Sequence, residues 1–125
     1  DRMMVFANVA KITDCALTVF TSVVSRAEDS RGILDAGSKT FTSDSGGLDG
    51  FGLILEHPQA HIYKMAEEHG FLDVSNCKFK PSIGDVLRVI PNHVCVVVNM
   101  FDKLVAVRDN AIVDILPVAA RGQLV

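Results

Sequence analysis

No run in this chain of 125 residues approaches the roughly 20 consecutive apolar positions of a membrane-spanning helix. The opening stretch, "DRMMVFANVA", lacks the order of a signal peptide, which is a basic region, an apolar core and a small-residue cleavage site. With no Met at position 1, the chain is expected to derive from a longer one. Lys and Arg form no block and the net charge is −3, so the basic footprint of a nucleic-acid-binding protein is missing. The three cysteines, Cys15, Cys77 and Cys95, are odd in number and lack framework spacing. They argue against a disulfide scaffold and for a reducing compartment, by default the cytoplasm. Helical patterning is scarce too, which leaves nothing with which to build a parallel α/β cofactor fold.

What the chain does have is strand signal. Residues 3–9 ("MMVFANV") and 16–25 ("ALTVFTSVVS") are rich in β-branched and aromatic side chains. Two short strand-like pieces flank Gly37 in "RGILDAGSKTFTSD". "SDSGGLDGFG" reads as a surface loop, "FGLILE" as a strand, and the ambiguous "HPQAHIYKMAEEHG" as a strand in view of its neighbours. "IGDVLRVI" and "HVCVVVNM" read as strands joined through Pro91-Asn92. "KLVAVRD" and "AIVDILPV" flank Asp109-Asn110, a pair that tolerates the positive φ angles of a tight hairpin. The expectation is an all-β (mainly β) fold, a single barrel- or sandwich-like domain without internal repeats.

The most informative stretch is "PNHVCVVVN", residues 91–99. As a strand it puts Val94, Val96, Val98 and Met100 on one face, expected to be core, and His93, Cys95, Val97 and Asn99 on the other. A satisfied histidine beside a small buried thiol is one account of that second face. A metal site is the other, since imidazole and thiolate suit zinc. Two ligands are fewer than zinc usually takes, so water, substrate or other residues would complete the set. "EEHG" (Glu67 to Gly70) is either a solvated acidic turn or, through Glu68 and His69, a carboxylate and imidazole that orient ligands or move protons. "GGLDGFG" lacks the Lys and the strand-to-helix context of a phosphate loop. His57 and His61 read as surface residues, Arg121 as a structural or interface cation, and no serine has nucleophile-elbow spacing.

Together, "LTVFTSVVSR", "ILDAGSKTFTSDSG", "EEHG", "GDVLRVIPNHVCVVVN" and "AVRDNAIVDILPVAARG" resemble the C-terminal domain of the D-serine dehydratase and D-threonine aldolase-like family. These are fold-type III pyridoxal-phosphate enzymes related to alanine racemase. The resemblance runs from about residue 4 to Gly122. It implies that residues 1–125 are the C-terminal β-domain of an enzyme whose N-terminal (β/α)8 barrel holds pyridoxal phosphate and is not present in this chain. It implies that His93 and Cys95 match the metal ligands of the dehydratase branch, where the aldolase branch has aspartate at the position of Cys95. A soft thiolate favours zinc over manganese or magnesium.

The activity so implied is a lyase acting on D-3-hydroxy amino acids. D-serine would lose its α-proton and β-hydroxyl to give pyruvate and ammonia, with pyridoxal phosphate as electron sink and zinc as Lewis acid at the hydroxyl. Retro-aldol cleavage of D-threonine to glycine and acetaldehyde is the alternative, and a free-standing β-type binding or dimerisation module is a third reading. The expected partners are the chain's own N-terminal barrel, a second copy in a homodimer, and the D-amino acid substrate. Alone, the fragment is expected to be inactive.

Overall fold

A computed structural model describes residues 1–123. Six strands form one antiparallel sheet: β1 (Val19–Glu28), β2 (Arg31–Leu34), β3 (Leu53–Ile54), β4 (His61–Met65), β5 (Gly70–Asp73) and β6 (Val86–Ile90), in the order β3-β6-β1-β2-β5-β4. The two edges, β3 and β4, curl towards each other. Phe51 N–H, just before β3, donates to the Ile62 carbonyl of β4 at 3.0 Å, which nearly closes the sheet into a barrel. Gly50 makes that approach possible. Its φ is +69°, and a Cβ there would come within 2.4 Å of His61 Nε2.

Inside and outside follow from strand alternation. Val19, Thr21 and Val23 of β1 point inward between exposed Phe20 and Val24, and β6 alternates likewise through Leu87 and Val89. Leu34, Ile54, Ile62 and Leu72 complete the interior. A separate ribbon, β7 (Lys103–Arg108) and β8 (Ala111–Pro117), turns at Asp109 (φ 51°) and Asn110 (φ 61°). Two successive positive φ angles are what a tight hairpin turn of the primed type requires. The mainly-β expectation and the hairpin hold; of residues 57–70, read as a strand, His61–Met65 and Gly70 are strand and the remainder are turns.

Three segments expected to be strands are helical. Residues 3–9 fall largely in α1 (Arg2–Phe6), "SKTF" forms α2 (Ser38–Phe41), and "HVCVVVNM" forms α3 (Val94–Val98) with His93 at its N-cap. Four valines in five residues oppose a helix by up to about 0.7 kcal/mol each. Tertiary context overrides that preference. Past Ile90 the chain has no strand to pair with, because the antiparallel neighbours of β6 begin there: β1 starts at Val19, opposite Val89, and β3 at Leu53, opposite Ile90. It turns at buried Pro91-Asn92 instead, and the Val94 N–H is taken by Asp1 Oδ2 at 2.8 Å.

The change of element reverses the face assignment. Val97 is the fully buried residue of α3 and joins the barrel core, whereas Val94, Val96 and Val98 are only partly covered and Met100 is exposed. Val97→Asp should therefore destabilise the domain by several kcal/mol, the cost of an unpaired buried carboxylate, and Val96→Asp by much less. Thermal denaturation of the two variants checks this; equal melting temperatures would refute the assignment.

Candidate functional site

The site region begins where β6 ends. Asn92 is buried and uses its whole amide. Its Oδ1 accepts from Arg2 Nη1 (2.7 Å) and Gly52 N–H (3.0 Å), while its Nδ2 donates to the carbonyls of Ser45 (3.0 Å) and Gly50 (2.8 Å). Four partners saturate an asparagine side chain. The glycine-rich loop of residues 44–52 is thereby fastened to the corner that presents His93. Arg2 Nη1 also donates to the carbonyls of Asp49 and Gly52, both at 3.2 Å.

His93 follows immediately. Its ring is largely covered, and its Nδ1 lies 2.6 Å from Asp44 Oδ2. An ionised carboxylate can only accept, so Nδ1 donates, and in the neutral ring Nε2 is then the lone-pair position. Asp44 is itself oriented, because its Oδ1 accepts from Gly46 N–H at 2.9 Å. The hydrogen bond from His93, joined by that from Gly46, holds the Asp44 carboxyl below its ordinary range and keeps it ionised at neutral pH.

Cys95 is exposed, in the first turn of α3. The strand expected to give His93 and Cys95 a shared face is absent: His93 is the extended N-cap residue and Cys95 lies one residue inside α3. The thiol is nonetheless accessible and is not packed into the core. Among the described residues no group of three or more His, Cys, Asp or Glu side chains could close around a metal ion. An imidazole with a free Nε2 and an open thiol fits a site that leaves positions for water or substrate, and does not fit a closed structural zinc site.

Glu68 and His69 lie apart from this pair, on the turn between β4 and β5, both exposed. Lys39 of α2 bridges Glu67 (3.1 Å) and Glu68 (2.6 Å), and the hydrogen bond from Lys39 lowers the Glu68 carboxyl. The turn docks on α2, which in turn packs on α3. His61 is half-buried at the barrel seam with Asp49 3.5 Å from its Nε2, and Arg121 Nε donates to the Asn99 carbonyl at the end of α3. The residue that the sequence reading missed is Asp44, in a segment read only as loop. Its signal was an acidic residue two positions before a glycine, an arrangement suited to a side chain that bonds its own backbone.

Taken together, the fold and these residues define a small barrel-like β-domain that presents an imidazole and a thiol at one corner. Residues 16–107 match the family described as "Putative serine dehydratase domain", and the chain belongs to that family. It is 41% identical over 115 residues to an uncharacterized protein of Mycobacterium tuberculosis, covering 88% of this chain and 86% of that protein. It is 37% identical over 107 residues to a D-threonine aldolase of an Arthrobacter species, covering 86% of this chain but only 27% of the aldolase. The crystal structure of D-threonine aldolase from Filomicrobium marinum superposes with a TM-score of 0.76 at 28% identity, covering 88% of this chain and 29% of that one.

Asn92→Ala should cost about 1–3 kcal/mol for each buried group it leaves unpaired, and it should loosen the loop of residues 44–52. Chemical denaturation with limited proteolysis measures both effects, and cleavage should move into that loop.

Proposed function

We propose that this chain is the metal-carrying C-terminal domain of a pyridoxal-phosphate-dependent lyase that acts on D-3-hydroxy amino acids, with dehydration of D-serine to pyruvate and ammonia as its reaction. The observation that carries this reading is the presentation of His93, whose Nδ1–H is engaged by Asp44 so that Nε2 remains for a ligand. Metal-binding histidines are held in that way by a carboxylate on the other ring nitrogen. His93 Nε2 and the Cys95 thiolate would hold zinc. When bound, zinc supplies a Lewis acid for the substrate's β-hydroxyl, and pyridoxal phosphate in the remainder of the enzyme supplies an electron sink.

The chain's own contribution is positioning. The buried Asn92 corner fixes His93, and Val97 anchors the short helix that carries the exposed Cys95. Glu68 and His69, across α2, are the groups we assign to proton handling near the substrate. The β7–β8 ribbon supports the view that more protein covers the domain. Val105, Val107, Ile112 and Ile115 share one of its faces, and each is more than half exposed. Contiguous apolar surface of this kind marks an interaction site. We assign the covering protein to an N-terminal pyridoxal-phosphate barrel and a second subunit, in a cytoplasmic enzyme. No helix among the described residues is long and apolar enough to cross a membrane.

Two further readings each have one observation in their favour. Retro-aldol cleavage of D-threonine is favoured by the 37% identity to a D-threonine aldolase. A free-standing binding module is favoured by the mycobacterial relative, of which this chain already covers 86%. In the enzyme that carries this domain, Cys95→Ala should remove both zinc and pyruvate release from D-serine, and Cys95→Asp should shift the metal preference towards manganese. The 125-residue chain alone should release no pyruvate from D-serine above a pyridoxal-phosphate blank. Metal analysis and a pyruvate assay decide the matter; full zinc content and turnover in Cys95→Ala would sink the proposal, and glycine with acetaldehyde from D-threonine as the main products would favour the aldolase.

A further inference from the structure

We propose that Asp44 is the positioning residue of this site, selecting the one tautomer of His93 that leaves Nε2 free to ligate. The inference rests on the metal reading above for its purpose, but its geometry stands without it. Both carboxylate oxygens of Asp44 are used as acceptors, Oδ1 by the Gly46 N–H (2.9 Å) and Oδ2 by His93 Nδ1–H (2.6 Å). A backbone N–H cannot accept, so Oδ1 has no alternative role. The remaining oxygen faces an imidazole nitrogen that must then donate. The loop is restrained from turning away, because the carbonyls of Ser45 and Gly50, which follow Asp44 in the chain, both accept from Asn92 Nδ2. Asp44 is 49 residues from His93 in sequence and reaches it only because the loop is fastened there.

Substitution by asparagine tests this logic with almost no change of shape. The side chain of Asp44→Asn would have one oxygen and one amide NH2. The Gly46 N–H would claim the oxygen, which turns the NH2 towards His93. Nδ1 would then have to accept, the ring hydrogen would move to Nε2, and the ligand position would be blocked. A histidine held in the wrong tautomer by the same carboxylate-to-amide exchange is known to disable a catalytic triad without disturbing its geometry.

The experiment is nitrogen NMR of the full chain labelled at histidine, recorded without metal and above the ordinary imidazole pKa of about 6.5. The His93 resonances are identified by their loss in His93→Gln, since the chain has three other histidines. The wild type should show a protonated Nδ1 and a bare Nε2, and Asp44→Asn should show the reverse. Asp44→Ala, in which water replaces the carboxylate, should show a mixture and serves where the asparagine variant does not fold. Zinc alone should bind the asparagine variant about 10–100-fold more weakly than the wild type. An unchanged tautomer in folded Asp44→Asn overturns the role given to Asp44, whatever zinc does. A reversed tautomer with no zinc bound by the wild type supports that role and overturns the metal reading instead.

Discussion

The corner at Asn92 governs what the rest of this domain can present. An asparagine side chain has two donors and two acceptor positions, and all four are committed to backbone and guanidinium partners from two separate segments, the N-terminal helix and the loop of residues 44–52. Aspartate would lose both donors and leucine all four contacts. Because the side chain is buried, a missing partner is not replaced by bulk water, so the arrangement is closer to a fixed joint than to a surface hydrogen bond. From that joint the chain leaves the sheet, α3 begins, and the glycine-rich loop is brought against His93. The N-terminal segment joins at the same place: Arg2 N–H donates to the Pro91 carbonyl, Met3 N–H to that of Asn92, and Asp1 spans α1 and α3 with its two carboxylate oxygens.

The barrel was legible because its strands are half-buried and so write a period of two into the sequence. In β1, buried Val19, Thr21 and Val23 alternate with Phe20 and Val24, and the hairpin announced itself through Asp109-Asn110. The family, too, could be read from motifs spread along the whole chain. Residues 94–98 were not legible for a physical reason. Valine-rich segments say strand, but a strand also needs a neighbour, and whether a sheet edge is free is a property of the topology. The error then propagated to the face that was assigned to the core.

The candidate site divides in the same manner. His93 and Cys95 stand out as residue types in an apolar stretch, so local reading singled them out. Their mutual geometry depended on the element carrying them, and local reading therefore could not supply it. The local turn at Asp44 had a signal, but its contact with His93 was beyond reach, because it comes from a loop folded back over 49 residues. Glu68 was singled out by composition alone, and its ion-pair partner Lys39, 29 residues away in sequence, could not be read locally.

The β7–β8 ribbon has a consequence for how the domain moves. Its two strands form a sheet of their own, apart from the six-stranded one, and nearly every residue of the ribbon is solvent-facing. Its hydrogen-bond ladder can therefore open while the barrel stays closed. Amide exchange should divide the chain into two populations, barrel amides protected up to the global unfolding free energy and ribbon amides released through a cheaper local opening. A two-stranded ribbon in water is marginal by itself. Protection of the ribbon amides is consequently a direct reporter of whether anything covers that apolar face, and it would rise on assembly even if no barrel amide changed.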